Sequence, residues 1–438
     1  MPQSTTDPAL RSWVDAANDP AGDFPVQNLP FGAFDAPDGT PRLGVAIGDR
    51  VLDLPAARAA GLLDGLDAAV LDAVRAPTLN ALVGLGRPAL TALRARVSVL
   101  LRADTPEGAV AARTPVLLHA MADVAMRLPT QVGDYTDFYA SIDHATNVGS
   151  MFRPDNPLLP NYRHVPIGYH GRASSLVPTG TPVRRPTGQV SAAPAGPPTV
   201  APSARMDYEL EVGAIVGAGN ALGEVIPLAE AERHLAGLVL VNDWSARDLQ
   251  AWEYQPLGPF LAKNFATTVS PWMVTLDALE PYRVAWRGRA ADEPAPQPYL
   301  TDAADQARGA YDITLEVWLR TARMRETGAP AERLSRGRFA GMYWTFGQML
   351  AHHASGGCNL RPGDLLASGT VSGPERSSRG CLLELAWRGQ EPVTLATGET
   401  RAFLADGDEV ILRGWCGGDG RVRIGFGECR GAVLPAAG

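Results

Sequence analysis

The stretch RMDYELEVGAIVG, residues 205–217, alternates apolar and acidic side chains along its first half. A period of two predicts a β-strand and places Asp207, Glu209 and Glu211 on one face of it. Three neighbouring carboxylates repel one another unless something compensates their charge. On an exposed face, solvent would do so. In a buried site a divalent cation would do so, because hard cations prefer carboxylate oxygens.

A second buried strand is predicted from the apolar run GLVLV, residues 237–241, which opens the stretch GLVLVNDWSARDLQAWEY. A helix over residues 246–254 would then carry Arg247, Gln250 and Tyr254 on one face. A guanidinium, an amide and a phenol at the end of a buried strand indicate a site for a polar anion. Asp243, between strand and helix, is either a helix N-cap or a ligand.

Two further charged residues stand in apolar surroundings. Lys263, in PLGPFLAKNFATTVSPW at 256–272, either extends its ammonium group to solvent or places it in a site. Glu384, among the leucines of RGCLLELAW at 379–387, is predicted to be buried and to need a partner. A histidine is a natural partner, since a carboxylate behind an imidazole makes the ring a better base.

The stretch GDYTDFYASIDHATN, residues 133–147, combines acids, tyrosines, a histidine and an asparagine without a regular apolar period. A plain surface loop explains its polarity but not its aromatic residues. We therefore predict an ordered loop whose aromatic side chains anchor it while its acids and imidazole face a site.

The composition favours a mainly β protein with some α structure. Among 438 residues there are 46 glycines and 37 prolines, which indicates many turns. A net charge of −8 argues against a nucleic-acid surface, and the lack of a long apolar run argues against a membrane span. The N-terminus lacks a signal-peptide pattern, and the four cysteines lack CxxC spacing. We expect free thiols and a cytoplasmic location.

Two parts of the chain differ in pattern. Residues 1–118 contain a hairpin signal at Gly48 and Asp49, followed by an Ala- and Leu-rich helical region, and predict a supporting domain. Residues 119–438 predict a catalytic domain of short strands and polar pockets, with polar surface excursions at 183–204 and 287–309. One long helix is predicted at about 339–355, where His352 and His353 close the last turn instead of binding a metal.

Five motifs taken together resemble those of the fumarylacetoacetase family: GDYTDFYASIDHATNVGSMFR, VPIGYHGRASS, MDYELEVG, NDWSARDLQAWEYQPLGPFLAKNFATTVSPW and NLRPGDLLASGTVSGPE. This resemblance covers nearly the whole chain. It implies a small SH3-like N-terminal β domain, a large C-terminal β-roll domain and a homodimer. It also implies cleavage of a diketo diacid, fumarylacetoacetate, to fumarate and acetoacetate, the last step of tyrosine and phenylalanine catabolism.

The resemblance also implies roles for individual residues. A calcium ion or another hard cation would be bound by Asp137, Glu209, Glu211 and Asp243, and a second, outer magnesium ion by Asp243, Lys263 and Thr267. His144 would be the general base, oriented by Glu384. Arg247, Gln250 and Lys263 would stabilise an oxyanion. The substrate contacts would be Tyr139, Arg153, Tyr169, Gln250, Tyr254 and Thr370.

Two alternatives remain at this level. A relative with the same scaffold could act on another substrate, as an acylpyruvate hydrolase, a decarboxylase or a hydratase, since metal carboxylates serve any enolate chemistry. A non-catalytic protein could use the acids only to hold a structural ion. No GxSxG, HExxH, P-loop or dinucleotide motif is present, so neither a serine nucleophile nor a nucleotide cofactor is indicated.

Overall fold

The computed structural model describes residues 4–191 and 196–437, which form a mainly β protein with short helices. The helices are α1 Leu54–Ala59, α2 Ala68–Ala73, α3 Asn80–Gly84, α4 Arg87–Leu101, α5 Pro106–Ala111, α6 Ile142–Phe152, α7 Leu228–Ala231, α8 Arg247–Glu253, α9 Leu276–Leu279, α10 Ala303–Arg308, α11 Ala322–Thr327, α12 Phe346–Ala354 and α13 Leu382–Leu385.

The strands are β1 Phe31–Asp35, β2 Pro41–Ile47, β3 Arg50–Asp53, β4 Leu118–Ala120, β5 Ala125–Met126, β6 Tyr135–Phe138, β7 Gly168–Gly171, β8 Leu176–Pro178, β9 Val183–Arg184, β10 Thr187–Val190, β11 Thr199–Pro202, β12 Met206–Asp207, β13 Leu210–Val216, β14 Leu235–Asp243, β15 Ser245–Ala246, β16 Thr267–Val269, β17 Val274–Thr275, β18 Arg283–Val284, β19 Ala310–Tyr311, β20 Thr314–Arg320, β21 Glu332–Arg338, β22 Leu365–Ala367, β23 Val393–Thr394, β24 Thr400–Arg401, β25 Glu409–Gly418 and β26 Arg421–Leu434.

The N-terminal part is built on a five-stranded sheet with the order β4-β3-β2-β1-β5. The predicted hairpin is confirmed, because Ile47 of β2 pairs with Arg50 of β3 across a two-residue turn. Gly48 takes a φ of +57° there, a conformation that glycine adopts without steric cost. The helical region after the hairpin is also confirmed, and Pro88 stands in the first turn of α4, where a proline is well tolerated.

The C-terminal part contains an eight-stranded sheet with the order β7-β6-β22-β13-β14-β16-β8, in which β17 also pairs with β14. Strands β13 and β14 lie at its centre and are buried along their whole length. A five-stranded sheet, β21-β20-β25-β26-β9, packs against it through one large apolar core. The predicted strand at 237–241 is confirmed as part of β14.

Two sequence expectations need correction. The stretch at 133–147 is not a loop: it forms β6 and the first turns of α6, and Ser141 caps that helix through the backbone N–H of His144. The predicted long helix is shorter. A 3₁₀ turn at Phe339–Gly341 precedes α12, which begins after Thr345 because that residue and Gln348 form a capping box.

The two predicted excursions contain regular structure as well. Within 183–204 the chain forms β9, β10 and β11, while residues 192–195 lie outside the described part. Within 287–309 it forms a 3₁₀ turn at Pro298–Leu300 and helix α10. No helix in the described ranges is long and apolar enough to cross a membrane.

Gly369 holds the strands of the site at their observed spacing. Its φ is +74°, and a Cβ there would lie 2.0 Å from the carbonyl oxygen of Phe138 in β6. We expect Gly369→Ala to lower the free energy of unfolding by at least about 2 kcal/mol, because it adds backbone strain and a clash with main chain. Denaturant titration measures this change. Gly341→Ala is the matched control, since a Cβ there meets no heavy atom of the described chain within 4 Å; equal losses in both variants would contradict the prediction.

Candidate metal centre and catalytic pair

Three strands bring the predicted acids together at one place in the eight-stranded sheet. Asp137 lies on β6 and pairs with Ala367 of β22, Glu211 lies near the start of β13, and Asp243 ends β14. With Glu209, which precedes β13, they form a buried cluster in which one carboxylate oxygen of each acid lies within 4.8 Å of the others. The solvent explanation for these acids is therefore wrong.

The strand at 205–217 is interrupted, and this interruption separates Asp207 from the other acids. Met206–Asp207 pairs with β15 in a separate two-stranded sheet, and β13 begins only at Leu210. Asp207 accepts hydrogen bonds from Arg247 Nε at 2.9 Å and from two backbone N–H groups of α13. The prediction of one shared face therefore holds for Glu209 and Glu211 only. Asp207 positions Arg247, a role that its sequence context did not reveal.

Two buried cations contact part of the cluster. Lys263 is 6% exposed, and its Nζ contacts Glu209 and lies 2.7 Å from Asp243 Oδ2. Arg247 Nη1 lies 2.8 Å from Glu209 Oε1. Burial alone would raise the pKa of Glu209, but Lys263 and Arg247 outweigh it and hold that pKa well below its usual range. Lys263 therefore belongs to the site and does not extend to solvent.

The other two acids of the cluster lack such partners. Both carboxylate oxygens of Glu211 and Oδ1 of Asp137 are buried without a hydrogen-bond partner among the described residues. Burial and the neighbouring acids raise the pKa of both groups well above the usual range. Carboxylate oxygens left unpaired in a buried space are costly unless a cation or proton compensates them. Their number, hardness and spacing fit a divalent metal ion.

A histidine–glutamate pair lies in the same part of the fold. His144, on α6, and Glu384, on α13, are both buried, and Nδ1 lies 2.7 Å from Glu384 Oε2. Burial would raise the pKa of Glu384. His144 and the hydrogen bonds with His144, Asn147 and Ser372 outweigh burial and lower this pKa to about 2. Because the carboxylate is ionised, a neutral His144 must donate its Nδ1–H to it, which leaves Nε2 as a proton acceptor.

Sequence reasoning missed the two residues that complete this pair. Asn147 donates to Glu384 Oε1 at 2.8 Å, and Ser372 donates to Oε2 at 2.7 Å. Asn147 stands three residues after His144, so helical spacing could have indicated a shared face. Ser372 gave no such signal. It lies 12 residues before Glu384, in a segment after β22 where no periodicity predicts which side chains meet.

Several predicted substrate contacts also line this region. Tyr139 packs edge-on against His144 with ring centroids 5.3 Å apart, and Tyr169 donates to Asp243 Oδ2 at 2.9 Å. Gln250 Oε1 accepts a hydrogen bond from Arg247 at 3.2 Å. Thr267, which is predicted to bind the outer magnesium ion and not the substrate, donates to Asp243 Oδ1 at 2.6 Å. The buried hydroxyl of Thr370 lacks a partner in the described part of the chain.

Two predicted contacts lie at the surface. Tyr254, at the end of α8, is 40% exposed. Arg153, at the end of α6, is exposed and donates to the carbonyl oxygen of Pro157 at 3.1 Å.

Comparison with known proteins gives the same assignment along the whole chain. The family described as Fumarylacetoacetase N-terminal matches residues 27–129, and Fumarylacetoacetate (FAA) hydrolase C-terminal matches residues 134–434. The fumarylacetoacetase of Bos taurus is 49% identical and covers 97% of this chain and 99% of its own. That of Caenorhabditis elegans is 50% identical, covering 98% and 100%. That of Arabidopsis thaliana is 48% identical, covering 98% and 99%.

A solved structure supports the fold independently. The fumarylacetoacetate hydrolase of Exiguobacterium antarcticum aligns with a TM-score of 0.51 at 16% identity, covering 93% of this chain and 99% of that one. Fold, site and relatives together define the class: a hydrolase with a mainly β catalytic part and a carboxylate cluster suited to a metal. The chain belongs to the fumarylacetoacetase family.

We expect Glu211→Gln to weaken the binding of Ca²⁺ or Mg²⁺ by at least about tenfold, because it removes a ligand charge that no other described residue satisfies. Titration calorimetry on metal-stripped protein measures the affinity. The matched control is Glu428→Gln, which removes a surface acid paired with Arg413. Unchanged affinity in the Glu211→Gln variant would show that Glu211 does not bind the metal ion.

Proposed function

We propose that this protein hydrolyses a C–C bond of 4-fumarylacetoacetate to give fumarate and acetoacetate, the last step of tyrosine and phenylalanine catabolism. The family assignment supports this proposal. The observation that carries it is the juxtaposition of an unsatisfied carboxylate cluster with a histidine whose Nδ1 is fixed by an ionised glutamate. The carboxylate cluster could hold a metal ion that stabilises an enolate, and the histidine could take a proton from water.

The reaction begins at His144. Its Nε2 takes a proton from water, and the hydroxide adds to the carbonyl carbon next to the fumaryl group. The tetrahedral intermediate collapses with cleavage of the C–C bond, and acetoacetate leaves as an enolate that is then protonated. Glu384 stabilises the imidazolium that forms during the first step. No covalent intermediate with the protein is needed.

The oxyanion of the tetrahedral intermediate needs fixed donors. Arg247 is held through Nε by Asp207 and through Nη1 by Glu209, while its buried Nη2 has no hydrogen-bond partner in the described chain. This free N–H, with Gln250 and Lys263 beside it, is suited to stabilise the developing negative charge. Because the guanidinium is already anchored at two points, little reorganisation is needed during the reaction.

The metal, proposed to be Ca²⁺ or Mg²⁺, would be held by Asp137, Glu209, Glu211 and Asp243. When bound there, it would supply Lewis acidity to the diketone oxygens and to the enolate charge. The outer magnesium site with Lys263 and Thr267 stays a prediction. Lys263 already supplies positive charge to Asp243 at that position.

Substrate recognition is assigned to the remaining polar groups. We propose that Tyr139, Tyr169 and Thr370 contact the bound substrate, and the unpartnered hydroxyl of Thr370 supports this role. Tyr254 and Arg153, which are exposed, would contact a carboxylate at the entrance. Arginine suits that task because its planar group binds a carboxylate through two parallel hydrogen bonds.

We also propose a homodimer in the cytoplasm. The loop after α8 exposes a group of large apolar side chains that a second copy could cover, with Leu257 95% and Phe260 69% exposed. All four cysteines are free thiols, as expected for a reducing compartment. Analytical ultracentrifugation tests the assembly, since a monomer at micromolar concentration would contradict it.

The SH3-like and β-roll architectures and the domain limits 1–118 and 119–438 stay predictions. Strands β4 and β5, at and just after residue 118, still belong to the first sheet. Limited proteolysis followed by mass spectrometry would locate the boundary.

The activity is tested by adding purified, metal-loaded protein to fumarylacetoacetate and to an acylpyruvate. We expect the diketone absorbance of fumarylacetoacetate to fall and fumarate to accumulate in equal amount. Metal-stripped protein should be inactive and should recover on addition of Ca²⁺ or Mg²⁺. Faster turnover of the acylpyruvate, or loss of absorbance without fumarate, would overturn the proposed substrate.

We expect His144→Ala to lower kcat by roughly 10²–10⁴-fold, the usual contribution of a positioned general base. Glu384→Gln should lower kcat less, by about 10–100-fold, because it removes support for the base and not the base itself. Steady-state kinetics at saturating substrate measure both. His170→Ala is the comparison variant: if it abolishes activity while His144→Ala does not, His170 is the base.

A further inference from the structure

A row of aromatic rings runs from the base toward the polar stretch at 287–309. Tyr139 packs against His144, the ring of Tyr162 is centred 5.8 Å from that of Tyr139, and Tyr343 is 5.8 Å from Tyr162. The mechanism above uses only Tyr139 from this row. The stretch at its far end had no role in the sequence analysis.

Two arginines of that stretch stack on the end of the row. The guanidinium carbon of Arg289 lies 3.5 Å from the ring centre of Tyr343, 4.3 Å from that of Trp344 and 5.3 Å from that of Trp286. Arg287 is exposed, and its guanidinium carbon lies 5.4 Å from the same Tyr343 ring. The rings therefore hold two positive charges close together.

A third arginine adds to this positive charge. The charge of Arg163, like that of Arg287, lowers the pKa of Arg289. The side chain of Arg163 lies 3.7 Å from that of Glu293. Burial lowers the pKa of Arg289 to about 10, Glu293 opposes this change, and the charges of Arg287 and Arg163 reinforce it. Three guanidinium groups near one another destabilise their charged forms, and a bound anion would relieve that repulsion.

The hydrogen-bonding groups around these charges also lack a partner. All three nitrogens of Arg289, the hydroxyls of Tyr162 and Tyr343 and the indole N–H of Trp344 are buried without a partner among the described residues. Each of these groups can donate a hydrogen bond. A carboxylate, which only accepts hydrogen bonds, is the ligand chemistry that such a set of donors fits.

The row of rings gives the position of these arginines relative to His144, and their charges act on groups along it. Burial raises the pKa of Asp143, the residue before His144 on α6, and the charge of Arg287 lowers it. Burial also raises the pKa of Tyr162, and Arg289 and Arg287 lower it. Along the row of rings that starts at His144, the arginines lie beyond Tyr139.

We propose that Arg163, Arg287 and Arg289, hereafter the arginine cluster, form a subsite for the carboxylate at the fumaryl end of the substrate. This inference rests on the proposed function. In that reaction the diketone faces the carboxylate cluster and the attacked carbonyl faces His144, so the fumaryl carboxylate extends beyond the base. The row of rings leads from the base to the arginine cluster.

Product inhibition tests the subsite, because each product represents one end of the substrate. Arg287→Gln is the variant of choice, since its exposed side chain can be replaced without disturbing the core. We expect the inhibition constant of fumarate to rise roughly tenfold, the loss expected for a charge-assisted hydrogen bond. The inhibition constant of acetoacetate should stay within about twofold of the unsubstituted protein, and Arg287→Lys should restore part of the fumarate affinity.

Arg336→Gln is the matched control, because Arg336 is also exposed and its guanidinium carbon lies 5.2 Å from the ring centre of Trp415. It should leave both inhibition constants unchanged. If the double variant Arg163→Gln/Arg287→Gln binds fumarate as tightly as the unsubstituted protein, or weakens both products equally, the subsite does not exist.

A direct binding measurement separates this inference from the proposed function. Trp286 and Trp344 lie in the subsite, so fumarate added to the metal-loaded protein should change the tryptophan fluorescence, and Arg287→Gln should weaken that titration. Absence of turnover with fumarylacetoacetate would contradict the proposed function, while this titration would still decide the subsite. Turnover with an unaltered titration in the double variant would contradict the subsite alone.

Discussion

The repulsion among four carboxylates confined to one buried space is the constraint on which the catalytic part depends. Like charges at such separations cannot all persist in a low-dielectric interior without compensation. Lys263 and Arg247 supply part of it by contacting Glu209 and Asp243. Burial and the neighbouring acids raise the pKa of Asp137 and Glu211, and Lys263 offsets this only in part. The protein alone therefore leaves the centre incompletely neutralised, which is the condition under which a hard metal ion binds.

The same constraint explains why the site residues come from distant parts of the sequence. An interior position for each acid requires a strand that is buried on both faces, and β13 and β14 provide this at the centre of the eight-stranded sheet. Arg247 stays in place because Asp207, excluded from the cluster by the break before β13, binds its other edge. One interrupted strand thus supplies two acids of the cluster, Glu209 and Glu211, and the carboxylate of Asp207 that anchors Arg247.

His144 has an acidic partner of its own outside the carboxylate cluster. Glu384 accepts hydrogen bonds from His144, Asn147 and Ser372, and these hold it ionised despite complete burial. The imidazole is consequently fixed in one tautomer, with the nitrogen that faces away from Glu384 available to a water molecule. The His144–Glu384 pair and the carboxylate cluster therefore share no side chain.

Periodicity and residue chemistry were enough to predict the hairpin at Gly48, the buried strand before Asp243, the helix that carries Arg247 and a buried Glu384 in need of an imidazole. These features depend on neighbours along the chain, which a sequence displays directly. Which acids meet, the break that removes Asp207 from the cluster, the strand and helix in place of a loop at 133–147, and the contact of Ser372 with Glu384 were decided by tertiary structure. They depend on strand pairing and packing between segments that lie up to hundreds of residues apart, and local pattern carries no information about such distances.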